Sequence, residues 1–190
     1  RETFDLLGTF VDLLRTAATQ QNLIAPSTFD SVWERHILDS AQLVRFASSG
    51  STWADVGSGA GLPGLVIAIL TGDPITLIEP RRLRAEFLRQ TADKLNLANV
   101  SVACGKVERV RGRFDVITAR AVAPLDRLLA MIEHLSEEKT VWVFPKGRNA
   151  QSELAQARRN WHCEVRAERS CTDPESEILV LTRVGAKKKR

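Results

Sequence analysis

The stretch DVGSGAGLPG, residues 55–64, constrains the fold of this chain more than any other segment. It places four glycines and a proline directly after an acidic residue, so the backbone can turn tightly and approach a ligand closely. Gly59, Gly61 and Gly64 form the G-x-G-x-x-G pattern of dinucleotide sites. Gly57, Gly59 and Gly61 form the G-x-G-x-G pattern of S-adenosylmethionine enzymes. The glycines alone do not decide between these two ligands.

Short apolar runs alternate with helical patterns along most of the chain and predict an α/β fold. Runs of this kind are typical of strands when Gly, Pro and polar residues bound them. The alternation of strand and helix predicts a mostly parallel sheet, with helices on both faces and the ligand at the carboxyl ends of the strands. The last two runs predict an antiparallel pair. The seven predicted strands are 51–57, 75–79, 100–104, 114–119, 140–145, 161–169 and 177–183.

Apolar residues at intervals of three and four predict the faces of helices that point inward. For the first helix these residues are Phe4, Leu7, Val11, Leu14 and Ala18. A second helix is predicted from Thr28 to Phe46, with an inward face of Trp33, Ile37, Ala41 and Val44. The helix after the second strand has an apolar face of Leu83, Phe87, Thr91 and Leu95.

The length of the chain allows one sizeable core. With 190 residues, 44% of them hydrophobic, it is too short for two ordinary domains and a linker. We divide it into an N-terminal helical extension, a main domain with the seven strands, and a basic C-terminal tail, at residues 1–48, 49–184 and 185–190. The chain begins with Arg1 rather than Met, so we expect the natural protein to contain residues before it.

Composition argues against several classes of protein. No apolar run approaches the roughly 20 residues that cross a bilayer, and the first residues lack the pattern of a signal peptide. We therefore expect a soluble, cytoplasmic protein without a membrane partner, and a monomer. Cys104, Cys163 and Cys171 form no C-x-x-C pair, so neither a disulfide framework nor a zinc or other metal site is expected.

Positive charge is concentrated in two segments. The chain has a net charge of +4, and residues 81–113 contain nine basic and three acidic residues. A second concentration is the tail, which ends in KKKR. This distribution favours a polyanionic partner. The alternative is that the first segment is a solvated helix face and that the tail only keeps the protein soluble.

Two acidic residues frame the glycine-rich loop and help to choose its ligand. Asp55 can orient the loop or attract an ammonium group, and it is poorly suited to lie beside a pyrophosphate. Glu79 ends the second predicted strand, where a carboxylate accepts hydrogen bonds from the ribose hydroxyls of either ligand. Asp55 therefore favours S-adenosylmethionine, and Glu79 supports an adenosine ligand in general.

Several short motifs carry a resemblance to a known family. In chain order they are RHILDS (35–40), the glycine-rich loop, FLRQ (87–90), VE (107–108), ITARAVAPL (117–125) and PKG (145–147). Together they resemble the glucose-inhibited division protein B family, which are bacterial 16S rRNA guanine-N7 methyltransferases. Glu79 stands where many relatives have Asp, and the N-terminal helices are short for the family.

The resemblance implies a class I S-adenosylmethionine-dependent methyltransferase (Rossmann-like) fold. It also implies S-adenosyl-L-methionine as cofactor and a specific guanine of 16S rRNA, in the small ribosomal subunit, as acceptor. The cofactor contacts that it implies are Gly57, Leu62, Val107, Glu108 and Arg120. With the residues singled out above, the predicted cofactor site comprises Asp55, Gly57, Gly59, Gly61, Leu62, Glu79, Val107, Glu108 and Arg120.

The residues themselves restrict which atom can be methylated. Methylation of an exocyclic amine uses an Asn/Asp-Pro-Pro-aromatic turn after the fourth strand, where this chain has TARAVAP. Carbon-5 methylation of cytosine uses a cysteine nucleophile, usually after Pro or Thr, and no cysteine here has that context. Guanine N7 needs no general base because its lone pair is already nucleophilic. Catalysis would then consist of positioning, which we assign to Arg120 and Lys146.

Other functions remain open at this point. Ribose 2′-O methylation uses a lysine and acidic residues around the hydroxyl, and Lys146 fits that role as well. A small-molecule methyltransferase and a nucleotide-binding regulatory module are further alternatives. The basic residues expected to contact RNA are Arg81, Arg82, Arg84, Lys146 and Arg148. His36 is expected to help its helix pack, and Arg35 to pair with Asp39 one turn later.

Overall fold

The computed structural model describes residues 2–188, and its centre is one seven-stranded sheet. The strands are β1 Trp53–Val56, β2 Ile75–Glu79, β3 Val100–Cys104, β4 Val116–Ala119, β5 Val141–Lys146, β6 Trp161–Arg169 and β7 Glu177–Ala186. Their order across the sheet is β3-β2-β1-β4-β5-β7-β6, and β7 runs antiparallel to both of its neighbours. All seven predicted strands and the antiparallel closing pair are thereby confirmed.

Helices cover both faces of the sheet. They are α1 Glu2–Ala18, the one-turn α2 Asp39–Ala41, α3 Gly64–Thr71, α4 Arg82–Lys94, α5 Leu125–Ile132 and α6 Ala150–Ala157. The first four helices pack into one hydrophobic cluster, while α5 and α6 pack into a second on the opposite face. A short 3-10 turn, Val107–Arg109, follows β3.

The strand order reverses direction at β1, and this reversal determines where a ligand can bind. β1 pairs with β2 on one side and with β4 on the other. In a doubly wound sheet, a crevice opens at the carboxyl ends of the strands where the order reverses. The loops after β1, β2 and β4 meet there, and they carry the glycine-rich loop, Glu79 and Arg120.

The N-terminal segment is part of the same core as the sheet. Seven of its apolar side chains are at most 6% exposed, and they pack in one cluster with α3. They are Leu7, Phe10, Val11, Leu14, Val32, Ile37 and Leu43. The segment predicted as an extension therefore covers one face of the sheet and buries apolar residues of α3.

The predicted second helix, Thr28–Phe46, is wrong as a continuous α-helix. The chain instead forms a 3-10 helix at Pro26–Ser31, a π-helix at Trp33–Leu38, the single turn α2 and another 3-10 turn at Val44–Phe46. Tight 3-10 turns and wide π turns do not repeat every 3.6 residues, so side chains at α-helical spacing do not share a face. Trp33 is 39% exposed as a result, whereas Ile37 is buried as predicted.

Two further residues predicted to point inward are exposed. Phe4 is 64% exposed, and its ring stacks on that of Trp33 with centroids 4.9 Å apart. Leu83 is 73% exposed because it lies in the first turn of α4, beyond the end of β2, while Phe87 one turn later is buried. Burial in these helices thus begins only where the sheet lies beneath them.

The predicted basic tail begins later than residue 185. β7 continues to Ala186, and the backbone N–H of Lys187 donates to the carbonyl oxygen of Asn160 at 2.8 Å. Pairing with β6 extends the strand, as Trp161 lies opposite Ala186. The last two residues of the tail, Lys189 and Arg190, lie outside the described residues, as does Arg1.

Candidate functional site

Most glycines of the glycine-rich loop are required by the protein's own packing. A Cβ at Gly57 would lie 2.6 Å from a methyl carbon of Val122, and one at Gly64 would lie 2.3 Å from Leu77. At Gly61 a Cβ would lie 2.4 Å from the side chain of Leu65. At these three positions the packing of the protein itself therefore accounts for the glycine.

Gly59 is the loop glycine with the most room for a side chain. A Cβ there would meet nothing closer than the Gly57 carbonyl oxygen at 3.7 Å and the Arg84 guanidinium at 3.8 Å. Its φ of +54° belongs to the left-handed region, which residues with side chains adopt at a cost. At this position the backbone is not covered by a side chain, so a ligand in the crevice between β1 and β2 could approach it closely.

Glu79 joins the glycine-rich loop to the start of α4. Its side-chain oxygens accept hydrogen bonds from the backbone N–H of Gly59 at 2.9 Å and from that of Arg81 at 2.8 Å. The residue is 3% exposed. A carboxylate has about four lone-pair positions, so two remain for further donors. Glu79 thus both holds the loop and keeps acceptor capacity beside Gly59.

Asp55 is a buried carboxylate with one unpaired oxygen. Its Oδ2 accepts a hydrogen bond from the backbone N–H of Gly64 at 3.1 Å, which fixes the end of the loop at the start of α3. Oδ1 is buried and has no hydrogen-bond partner among residues 2–188. Burial raises the pKa of Asp55 to about 6, although hydrogen bonds and the charge of Arg120 act in the other direction. The ionised form is therefore destabilised until a cation or a donor approaches.

Arg120 is held at the carboxyl end of β4 by Asp39. Its guanidinium lies 3.4 Å from Oδ2 of Asp39, while Oδ1 accepts a hydrogen bond from Thr172 at 2.8 Å. Asp39 forms its ion pair with Arg120 and not with Arg35, so the predicted pairing within the helix is wrong. The π-helix before Asp39 changes the spacing between these two residues.

The turn between β6 and β7 is attached to the same network. The amide of Gln42 donates to Asp39 at 2.9 Å and to Ser170 at 3.0 Å, and it accepts from the backbone N–H of Cys171 at 3.0 Å. These bonds bring the N-terminal segment, the loop after β4 and the turn at residues 170–176 to one edge of the sheet.

His36 stabilises the N-terminal segment from within. Its Nε2 is 2.9 Å from the hydroxyl of Thr28. Burial lowers the pKa of His36 to about 4, with a further contribution from the charge of Arg120. The ring is therefore uncharged at neutral pH.

A cavity of about 440 Å³ lies beside the loop that follows β4. Arg120, Val122 and Lys146 are among its lining residues, and Asp39 forms part of its wall. Lys146 at the end of β5 pairs with Glu153 of α6 at 2.8 Å, and it also donates to the carbonyl oxygen of Ala123 at 3.2 Å. Since Val122 also packs on Gly57, this cavity and the crevice at the glycine-rich loop share one wall.

The other predicted site residues occupy three different environments. Leu62 and Val107 are buried in the two core clusters, at 4% and 5% exposure, so only their backbone can meet a ligand. Glu108 is exposed at the far side of the crevice. Arg84 donates to the carbonyl oxygen of Asn22 at 2.7 Å. Of the remaining predicted residues, Arg81 and Arg82 are exposed beside α4, and the exposed Arg148 pairs with Glu175.

Sequence reasoning missed three residues that shape this edge. Val122 had no signal of its own, because its role depends on contact with a glycine from another loop. Asp39 was assigned only to a pair with Arg35, and its contact with Arg120 was not predicted. Glu153 lies seven positions after Lys146, and this spacing across a turn into a helix is the signal that could have revealed the pair.

The described residues contain neither a membrane-spanning helix nor a cluster of metal ligands. No helix within residues 2–188 is both long and apolar enough to cross a membrane. In the same part of the chain, no group of three or more His, Cys, Asp or Glu side chains is arranged to hold a metal ion.

The strand order and the helices on both faces of the sheet define the class I methyltransferase fold. A ribosomal protein L11 methylase from Lactobacillus delbrueckii subsp. bulgaricus superposes with a TM-score of 0.64 at 18% identity, over 77% of this chain and 76% of that chain. M. jannaschii TYW2, solved in complex with AdoMet, superposes with a TM-score of 0.62 at 11% identity, over 80% and 76% of the two chains. The predicted fold class is confirmed.

The chain belongs to the rRNA small subunit methyltransferase G family. Residues 4–178 match the family described as GidB, rRNA small subunit methyltransferase G. The chain is also 43% identical over 200 residues to the ribosomal RNA small subunit methyltransferase G of Zymomonas mobilis subsp. mobilis, covering 100% of this chain and 90% of that protein. The resemblance carried by the short motifs is thereby confirmed, and the chain is a member of an enzyme family.

Asp55 should make the protein less stable as pH rises. Its pKa is about 6 in the folded protein, above its ordinary value of 3.8, so its contribution to stability is complete below pH 3.8 and is lost as pH rises through 6. We expect the unfolding free energy of Asp55→Asn, relative to wild type, to increase between pH 4 and pH 7 by on the order of 3 kcal/mol. Urea unfolding at several pH values measures this difference. A difference that does not change with pH would contradict the assignment.

Proposed function

We propose that the protein transfers a methyl group from S-adenosyl-L-methionine to N7 of a specific guanine in 16S rRNA of the small ribosomal subunit. The observation that carries this proposal is the shared wall at Val122 between the crevice at Gly59 and the cavity at Lys146. One compartment suits a cofactor and the other a planar base. Membership of the rRNA small subunit methyltransferase G family supplies the class of acceptor.

The residues of the crevice fit a cationic adenosine ligand better than a dinucleotide. The unpaired Oδ1 of Asp55 favours positive charge nearby, and a pyrophosphate would repel it. Glu79 keeps lone pairs for ribose hydroxyls, and Gly59 leaves the space that a ligand beside them needs. The cofactor, when bound, supplies an electrophilic methyl group on a sulfonium. We assign its binding to Asp55, Gly57, Gly59, Gly61, Leu62, Glu79, Val107, Glu108 and Arg120.

The cavity supports a reaction that needs positioning rather than proton transfer. Lys146 is engaged by Glu153 and by the carbonyl of Ala123, and Arg120 is engaged by Asp39. These contacts fix the side chains in place. Attack by guanine N7 releases no proton, so holding the base in line with the methyl group accounts for catalysis, and such positioning contributes about 7 to 11 kcal/mol.

The exposed arginines at the start of α4 support contact with RNA. Arg81 and Arg82 extend from the carboxyl edge of the sheet, on the side of the crevice where Arg84 is anchored to the N-terminal segment. These two arginines supply positive charge at the carboxyl edge of the sheet, the edge where the cavity also lies. The RNA-binding set that we propose also includes Lys146 and Arg148.

Ribose 2′-O methylation is the second candidate function. The pairing of Lys146 with Glu153 inside the cavity favours it, because that reaction uses a lysine and carboxylates around a hydroxyl. The two reactions leave the methyl group on different atoms of the acceptor nucleotide, so the product distinguishes them.

The methylated nucleoside tests the proposed function directly. Labelled S-adenosyl-L-methionine is incubated with the protein and small ribosomal subunits that lack the modification, and the rRNA is digested to nucleosides for mass spectrometry. We expect N7-methylguanosine to carry the label, because the lone pair of guanine N7 is already nucleophilic and its attack releases no proton. A 2′-O-methylated nucleoside would favour the second candidate, and an unlabelled rRNA would refute both.

Two glycine substitutions should separate cofactor binding from stability. The Cβ of Gly59→Ala meets no atom of the protein closer than 3.7 Å, so we expect about tenfold weaker binding of S-adenosylhomocysteine and a loss of stability of only about 1 kcal/mol. Gly64→Ala, the control, places a Cβ 2.5 Å from Asp55 and 2.3 Å from Leu77. It should lower the unfolding free energy by about 1 to 3 kcal/mol. Calorimetry and thermal unfolding measure both effects. Normal binding by Gly59→Ala, or binding of NAD by wild type, would exclude the assigned cofactor site.

Salt dependence should show whether the arginines of α4 contact phosphates. Replacing Arg81 and Arg82 with Gln should flatten the slope of log K against log salt by about 0.7 to 0.9 for each lost contact. The matched control replaces Arg158 and Arg159, which are exposed at the end of α6 on the opposite edge of the sheet. It removes the same charge and should leave the slope unchanged. Equal slopes for both variants would place the RNA-binding surface elsewhere.

A further inference from the structure

The pair of Lys146 and Glu153 is more than an ion pair because both members keep unused hydrogen-bonding groups. Oε2 of Glu153 accepts from Nζ of Lys146 at 2.8 Å and from the backbone N–H of Leu125 at 2.9 Å. No donor from residues 2–188 reaches Oε1 of the same carboxylate. The lysine ammonium has three donors and uses two, one on Glu153 and one on the carbonyl of Ala123. One donor and one acceptor therefore remain side by side.

Both unused groups belong to the cavity beside the loop that follows β4. Lys146 and Glu153 are lining residues, and their side chains are 11% and 25% exposed. Apolar residues such as Pro145, Ile178 and Val122 form other parts of the wall. The cavity thus combines apolar surfaces, which suit the faces of a base, with one adjacent donor and acceptor, which suit its edge.

This donor–acceptor pair is complementary to guanine and not to adenine. Guanine presents the O6 acceptor next to the N1–H donor, whereas adenine presents the N6 donor next to the N1 acceptor. An ammonium beside a carboxylate oxygen matches guanine in both positions and opposes adenine in both. We propose that Lys146 and Glu153 together select guanine by reading its O6 and N1–H, an inference that rests on the proposed function.

The order of contacts along the loop after β4 agrees with methylation at N7. Val122 packs on Gly57 at the crevice, Lys146 binds the next residue, Ala123, and Glu153 binds Leu125 further on. Guanine N7 lies next to O6 and away from N1. A base with O6 at the lysine and N1–H at the carboxylate therefore directs N7 toward the glycine-rich loop.

Glu153→Gln tests this assignment with little change in shape. The amide oxygen of Gln can keep the bonds to Leu125 and Lys146, while its NH₂ group replaces the unused acceptor with a donor. If the pair is merely structural, Glu153→Gln should change the affinity for every base equally. If the pair reads guanine, the substitution should weaken the binding of bases with N1–H and leave the affinity for adenine unchanged.

The experiment measures GMP, IMP and AMP binding to the full chain saturated with S-adenosylhomocysteine, by NMR titration. We expect GMP and IMP to bind wild type alike, because they share O6 and N1–H, and AMP to bind at least about tenfold more weakly. Glu153→Gln should weaken GMP and IMP by about tenfold and AMP by less than about twofold. Glu177→Gln changes the same charge in the same cavity and should keep the wild-type order of affinities.

A second variant covers the case in which Glu153→Gln does not fold. Lys146→Met removes the donor for O6, so it should weaken GMP by about tenfold without weakening AMP. Equal affinities of the three nucleotides for wild type, or no binding of any, would overturn the assignment. So would an unchanged preference for guanine in both variants. The formation of labelled N7-methylguanosine by the wild-type protein is measured in a separate experiment. Failure of the proposed function is therefore distinguishable from failure of this inference.

Discussion

The contact between Val122 and Gly57 organises the functional edge of this protein. Because a Cβ at position 57 would lie 2.6 Å from Val122, the loop after β4 can sit on the glycine-rich loop only while residue 57 has no side chain. The same loop is held from its other side by Lys146 and Glu153. One short segment, from Arg120 to Leu125, therefore separates the crevice from the cavity, and its position determines the distance between them.

The two buried acids at the ends of β1 and β2 show that the site is not arranged for maximal stability. Glu79 is 3% exposed and Asp55 is 1% exposed, yet neither forms a salt bridge within the described residues. Glu79 is compensated by two backbone N–H groups, and Asp55 by one on its Oδ2. The remaining cost at Asp55 appears as its raised pKa, and a cationic ligand would relieve it. Energetic strain of this kind is typical of a site that is completed by binding.

Local patterns predicted the sheet well because strands such as Ile75–Glu79 are short apolar runs bounded by Gly and Pro. They failed at Trp33–Leu38, where contacts of Asp39 with distant segments accompany a π-helix that no local periodicity indicates. The same limit applies to the site. Asp55, Glu79 and Gly59 were predicted as site residues from their positions in the sequence, whereas the contacts of Val122 and Glu153 depend on partners that only the folded chain brings together.

The antiparallel direction of β7 has a consequence for how the acceptor side of such an enzyme can change. Since β6 and β7 form a hairpin, the turn at residues 170–176 lies at the same edge as the crevice, joined to it through Gln42, Thr172 and Asp39. The turn adjoins neither β1, which leads into the glycine-rich loop, nor β2, which ends at Glu79. Ser170 and Ser176 of this turn line the cavity, so insertions or replacements there change its wall and reach Arg120 through Thr172 and Asp39. The hairpin therefore allows the wall of the cavity to vary without a change in the glycine-rich loop or in Glu79, and Asp39 is the contact through which such a change would be felt at Arg120.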